Sequence, residues 1–190
     1  EYCKHGSLQD YITSENHLTE PELRDITIAA CLRWIIFIEE RSSTGYSNLL
    51  FHFSQDIKPA NLLISQNGLI KVGDFGLAEQ LNHSNSVRSG EIGTLCYMAP
   101  EVFDGKTVMK SDVWSLGISL IEMAEGKNPY QSCESNAQIT KAVCFHDPPS
   151  LTSSIWSGAF VGFVKRCLVK DVNERASVRE LMRVSGDKCE

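Results

Sequence analysis

Two carboxylates, an amide and an ammonium group fall in two short polar clusters of the chain. The first is Asp56-Ile57-Lys58-Pro59-Ala60-Asn61, and the second is Asp74-Phe75-Gly76. Carboxylate oxygens with an amide oxygen suit Mg²⁺, a hard cation that prefers oxygen ligands and shares them with phosphates. A lysine beside such a set can neutralise a phosphate. Taken singly, Asp56 and Asn61 are ordinary loop residues, so this chemistry requires the two clusters to meet.

The segment between the clusters can bring them together. Residues 62–72 read LLISQNGLIKV, two short apolar runs around Asn67-Gly68. An Asn-Gly pair between apolar runs predicts a hairpin, which returns the chain to where it left. The other elements read as helices. Thr19-Glu20-Pro21-Glu22 is a capping box, and Leu23, Ile26, Ala30, Trp34 and Ile38 follow at spacings of three and four. This predicts a long helix with one buried face, running to about Glu40, followed by a polar, turn-rich stretch over 41–49. Residues 111–126 (SDVWSLGISLIEMAEG) predict a central helix, apolar on most sides, with Ser111 able to cap it and Gly126 able to end it. Trp156, Phe160, Phe163, Val164 and Leu168 suggest a further amphipathic helix, and Ser177 to Glu180 a second capping box before a short last one. Ser84 to Gly93 reads as a polar loop.

The bulk properties narrow the classes of function. A chain of 190 residues, 42% hydrophobic and 22% charged, fits one globular domain or a large piece of one. A net charge of −6 leans away from a nucleic-acid partner. No apolar run is long enough to span a membrane; the most apolar stretch, Ile26 to Ile38, is short and carries Arg33. Seven cysteines without a CxxC suggest neither a disulfide framework nor a zinc site, and free thiols imply a reducing, cytoplasmic compartment. The chain opens on Glu1 rather than Met, which reads as a piece of something longer.

DIKPAN, then DFG eighteen residues after Asp56, then Ala99-Pro100-Glu101, is the order of motifs in protein kinases, which this chain resembles. SDVWSLG resembles the kinase central helix. RCLVKDVNERAS resembles the closing segment, whose arginine (Arg175 here) pairs with the glutamate of APE (Glu101 here). EYCKHGSLQDYI is similar to the hinge and the helix after it. Lys58, two residues after Asp56, marks the serine/threonine class. GTLCYMAPE and SDVWSLGISLIEMAEGKNPY are most similar to the sterile-twenty, germinal-centre and MAP-kinase-kinase branches.

The resemblance implies the large, C-terminal lobe of a protein-kinase-like fold, mainly α-helical with a small β-hairpin. It implies ATP and Mg²⁺ as cofactors, a protein substrate and an upstream activating kinase. It makes Asp56 the group that accepts or orients the substrate hydroxyl proton and Lys58 the group that steadies the γ-phosphoryl. Asn61 and Asp74 would hold Mg²⁺, and Thr94 would bridge Asp56 and Lys58. The backbone of Glu1 and Cys3 would meet the adenine edge, with Leu63 on the floor beneath it. Asp112 would brace the catalytic loop from below. Ser84, Ser86 and Ser89 lie where such kinases take activating phosphates. Cys96, near the substrate loop, is either a reactive thiol or a small core residue.

The chain also departs from the family pattern. It begins at the hinge, so residues 1–190 would form part of a kinase domain without the small lobe, weak or inactive alone. Ser54-Gln55 stands where His-Arg precedes the catalytic aspartate, and Gln55 cannot clamp a phosphate as arginine does. Trp34 lies 22 residues before Asp56, against about ten in the family. That long span reads either as a real insertion beside the catalytic loop or as a fault of the gene model, and the loss of His-Arg favours an alternative, a pseudokinase-type interaction or scaffold module. The retained Asp56, Lys58, Asn61 and Asp74 argue against it.

Overall fold

The computed structural model describes residues 6–13, 18–43, 57–65, 70–72 and 92–186. Ser7 and Asp10 form a small capping box for the first helix, α1 (Leu8–Thr13). The Asp10 carboxylate accepts from the Ser7 amide at 2.9 Å, and the Asp10 amide donates to Ser7 Oγ at 3.2 Å. Gly6, just before it, has φ +73°, a left-handed conformation in which a side chain would be strained. The long helix α2 (Glu20–Ser43) starts at the expected box, with Thr19 N–H donating to Glu22 at 2.7 Å. Leu23, Ile26, Ala30 and Trp34 are buried on its inner face, as their spacing predicts. The helix runs past Glu40 to Ser43, three residues into the stretch expected to be turn-rich.

A 3₁₀ turn, Pro59–Asn61, leads into strand β1 (Leu62–Ile64), which pairs antiparallel with β2 (Ile70–Val72). The register sets Leu62 opposite Val72, Leu63 opposite Lys71 and Ile64 opposite Ile70. This is the predicted hairpin. Its outer edge is covered, since Ser7 bridges to Leu63 and Ile64 N–H donates to Gly6 O at 3.0 Å. Two one-turn helices follow, α3 (Ile92–Leu95) and α4 (Pro100–Phe103). Gly93 therefore lies in helix rather than in the polar loop.

The axis of the fold is α5 (Met109–Glu125). Every residue from Ser111 to Met123 is buried, which is what an apolar pattern on most sides requires. Gly126 ends the helix with φ +71°, as a left-handed cap. The start differs from expectation. The cap position is Val108, and Ser111 sits in the third helical position, where its Oγ accepts from Val108 N–H at 3.1 Å. A hydroxyl at that position reaches back over the first turn as well as one at the cap reaches forward.

Helix α6 (Asn136–Phe145) is an addition to the elements read from the sequence, although its signal is present. Ser135 caps Gln138 N–H at 3.3 Å, and Ile139 and Val143 are buried one turn apart. Helix α7 (Gly158–Cys167) is capped by Ser157. The predicted Trp156 lies just before it, its ring tilted 57° against that of Phe160 with centres 5.5 Å apart, and Leu168 lies just after it. Helix α8 (Val178–Gly186) opens at the second box, Ser177 N–H donating to Glu180 at 2.7 Å. The described structure is thus mainly helical with one two-stranded sheet. No described helix is long and apolar enough to cross a membrane.

Candidate active site

Lys58 and Asn61 stand at the two ends of the Pro59–Asn61 turn. Lys58 is extended (φ −147°, ψ 156°), Pro59 supplies the first helical residue, and Asn61 N–H closes the turn on Lys58 O at 2.9 Å. Proline suits that position because its fixed φ is already helical and its missing N–H would have had no partner. Lys58 and Asn61, both half-buried, therefore share one short turn. Ile57 before the turn and Leu62 after it are buried and anchor it to the core. Leu63 is half-buried between Ser7 and Lys71, next to the segment that leads into α1. Asp56, Asp74, Glu1 and Cys3 lie outside the described residues, as do Ser54, Gln55, Ser84, Ser86 and Ser89. Thr94 is half-buried on α3, with its carbonyl accepting from Tyr97 N–H at 3.2 Å. Asp112 is buried in the first turn of α5.

Three serines of α5 tie separate segments to one helix. Ser111 Oγ donates to Glu101 Oε1 at 2.6 Å. Ser115 Oγ donates to Tyr97 O at 2.7 Å, and Ser119 Oγ to Ile57 O at 3.0 Å. Residues four apart lie about one turn apart on the same face, about 6 Å along the axis. The Lys58–Asn61 turn and the Thr94–Tyr97 segment are thereby fixed one helical turn from each other. Sequence reasoning missed Ser115 and Ser119. Their signal is a serine at every fourth place, Ser111, Ser115 and Ser119, along one row of a mainly apolar helix.

The side chain of Tyr97 is fixed as well. Its Oη donates to Glu122 Oε2 at 2.5 Å, and Asn128 Nδ2 donates to the same oxygen at 2.9 Å. Cys96 is buried. Burial, reinforced by the nearby Cys133 and Glu122, pushes its thiol up to about 11. It is therefore a protonated core thiol near neutral pH, and the reactive reading fails because burial disfavours the thiolate. Among the described residues no group of three or more His, Cys, Asp or Glu is placed to hold a metal ion.

The pairing of Arg175 with Glu101 is present. Arg175 is fully buried. Its two terminal nitrogens meet the two oxygens of Glu101 at 2.7 and 2.8 Å. The remaining donors go to the carbonyls of Val169 (2.8 Å), Lys110 (2.8 Å) and Lys170 (3.3 Å), and the guanidinium lies 5.3 Å from the Trp114 ring centre. Burial would raise the Glu101 pKa. The hydrogen bonds from Arg175 and Ser111, with the charge of Arg175, outweigh it and hold the carboxyl below its ordinary value. A carboxyl depressed by folding adds stability above the unfolded pKa and loses it as pH falls through the folded one. Glu101→Gln should therefore lower Tm at neutral pH, and its deficit against the parent should shrink below the ordinary value of 4.5. Parallel melts from pH 7 to about 3 check this; a constant deficit would show that the pair is not linked to protonation.

Comparison with known proteins adds to this geometry. The family described as protein kinase domain matches residues 1–185. Serine/threonine-protein kinase dst1 of Dictyostelium discoideum is 36% identical over 187 residues, covering 96% of this chain and 24% of that protein. The chain thus spans about a quarter of that relative's length.

Proposed function

Because this chain belongs to the protein kinase family, we propose that residues 1–190 serve as the large-lobe part of a serine/threonine kinase domain. The intact protein would move the γ-phosphoryl of ATP to a serine or threonine hydroxyl of a protein. The observation that carries this reading is the Pro59–Asn61 turn, which presents Lys58 and Asn61 together and is pinned to the central helix.

In this reading Asp56 takes the proton of the attacking hydroxyl, and Lys58 places positive charge on the transferred group. Thr94 spans Asp56 and Lys58. Asn61 and Asp74 offer the hard oxygens that Mg²⁺ prefers, which fits the half-buried position of Asn61 at the end of the turn. Bound Mg²⁺ would neutralise phosphate charge as it shifts. The backbone of Glu1 and Cys3 faces adenine, with Leu63 beneath it. Ser84, Ser86 and Ser89 are candidate acceptors for an upstream kinase, and the free cysteines suit a cytoplasmic setting.

The test is a pair of measurements on the intact protein. Mg-ATP should raise Tm, by an amount equivalent to about 2.7 kcal/mol at a hundred times Kd, and EDTA should reverse the rise. Labelled phosphate should appear on serine or threonine of a generic protein substrate. A protein that shows neither the shift nor the label is not a kinase.

A further inference from the structure

The serines at 115 and 119 do more than fill space in a buried helix. Ser119 is fully buried and Ser115 nearly so, and both are flanked by buried apolar residues, Trp114 and Leu116 beside one and Ile118 and Leu120 beside the other. A buried hydroxyl must find an acceptor or lose stability, so an apolar residue would be the simpler choice at both places. Each hydroxyl has one acceptor within its own helix. Ser119 Oγ lies 2.8 Å from Ser115 O, and Ser115 Oγ lies 3.4 Å from Ser111 O. Those helical carbonyls already receive the backbone N–H four residues on. The other acceptors are different in kind. Ile57 O and Tyr97 O belong to loop segments, 62 and 18 residues away in sequence.

We infer that Ser119 and Ser115 are positioning residues with separate duties. Ser119 sets the peptide unit between Ile57 and Lys58, and so the height of the Lys58–Asn61 turn above the central helix. Ser115 sets the peptide unit after Tyr97, in the segment next to the substrate. The inference rests on the kinase reading for its kinetic consequence, though not for its structural one. Misplacing a reacting group by about 1 Å costs up to a hundredfold in rate. Losing the tie at Ile57 should therefore slow transfer, and losing the tie at Tyr97 should weaken capture of the protein substrate.

The experiment uses the intact protein with Ser119→Ala, Ser119→Thr and Ser115→Ala, each checked by thermal melting. Ser119→Ala should lower kcat about tenfold and change the peptide KM less, and Ser119→Thr, which keeps the hydroxyl, should restore most of kcat. Ser115→Ala should raise the peptide KM more than it lowers kcat. Backbone hydrogen exchange provides a readout that needs no activity. Ser119→Ala should speed exchange in 57–62 and leave 95–99 unchanged, and Ser115→Ala should do the reverse. If the parent transfers no phosphate, the kinase reading fails and the exchange data alone decide the positioning. Equal acceleration of both segments by both variants, or none by either, overturns it.

Discussion

Replacing Arg175 with methionine should destabilise the protein by about 3–5 kcal/mol, a fall of roughly 6–20 °C in Tm. The size follows from what would be left behind. Arg175 is fully enclosed, and Glu101 keeps only 11% of its side-chain exposure. Removing the cation strands a largely enclosed carboxylate that keeps only the Ser111 hydroxyl and its own backbone N–H as support. It also strips a donor from the carbonyls of Val169, Lys110 and Lys170. The same guanidinium lies over Trp114, adding a cation–π contact that methionine cannot supply. A double variant with Glu101→Leu should recover part of the loss, because the stranded charge is gone, and only part, because the carbonyls remain. Denaturant titration of the two single variants and the double one measures the coupling. A loss below about 1 kcal/mol for Arg175→Met would mean that water reaches Glu101 and that the pair behaves like a surface one.

Gly117→Val should cost about 3 kcal/mol, the upper end of what overpacking a core does. A Cβ at Gly117 would lie 2.8 Å from Cys167 Cβ and from Leu168 Cγ and Cδ2. Cys167 Cβ is bonded directly to the backbone of α7, so it cannot swing aside. The α5–α7 contact would have to widen, and both residues it would disturb are buried. Helix propensity works in the opposite direction, since glycine in a helix interior is about 1 kcal/mol worse than alanine. The sign of Gly117→Ala therefore discriminates between the two effects. A loss shows that the close approach dominates, and a gain would show that the helices part without cost. Equilibrium unfolding of both variants settles the order, with valine expected below alanine.

Most elements were legible in the chain because their signals are local. The Thr19–Glu22 and Ser177–Glu180 boxes, the apolar spacing of Leu23 to Trp34 and the end at Gly126 each act within a turn or two of helix. The paired runs of the hairpin act across only a few residues. The misses have equally physical causes. Serine favours the cap position, which points to Ser111 there, whereas the helix gains an earlier turn by letting it cap from within. Helix α6 has a mean apolar face of only two fully buried residues, Ile139 and Val143, too short a run to stand out.

The residues able to do chemistry, the order of the motifs and, through the family resemblance, the pairing of Arg175 with Glu101 can all be read along the chain. How distant segments are held emerges with the folded arrangement. Ser115 and Ser119 carry no mark of their acceptors, because a hydroxyl in a buried helix bonds to whatever carbonyl the fold brings beside it. Cys96 likewise reads the same in sequence whether reactive or inert, and burial makes it inert. Local propensity and motif spacing act along the chain; desolvation and close contact depend on the neighbours that folding supplies.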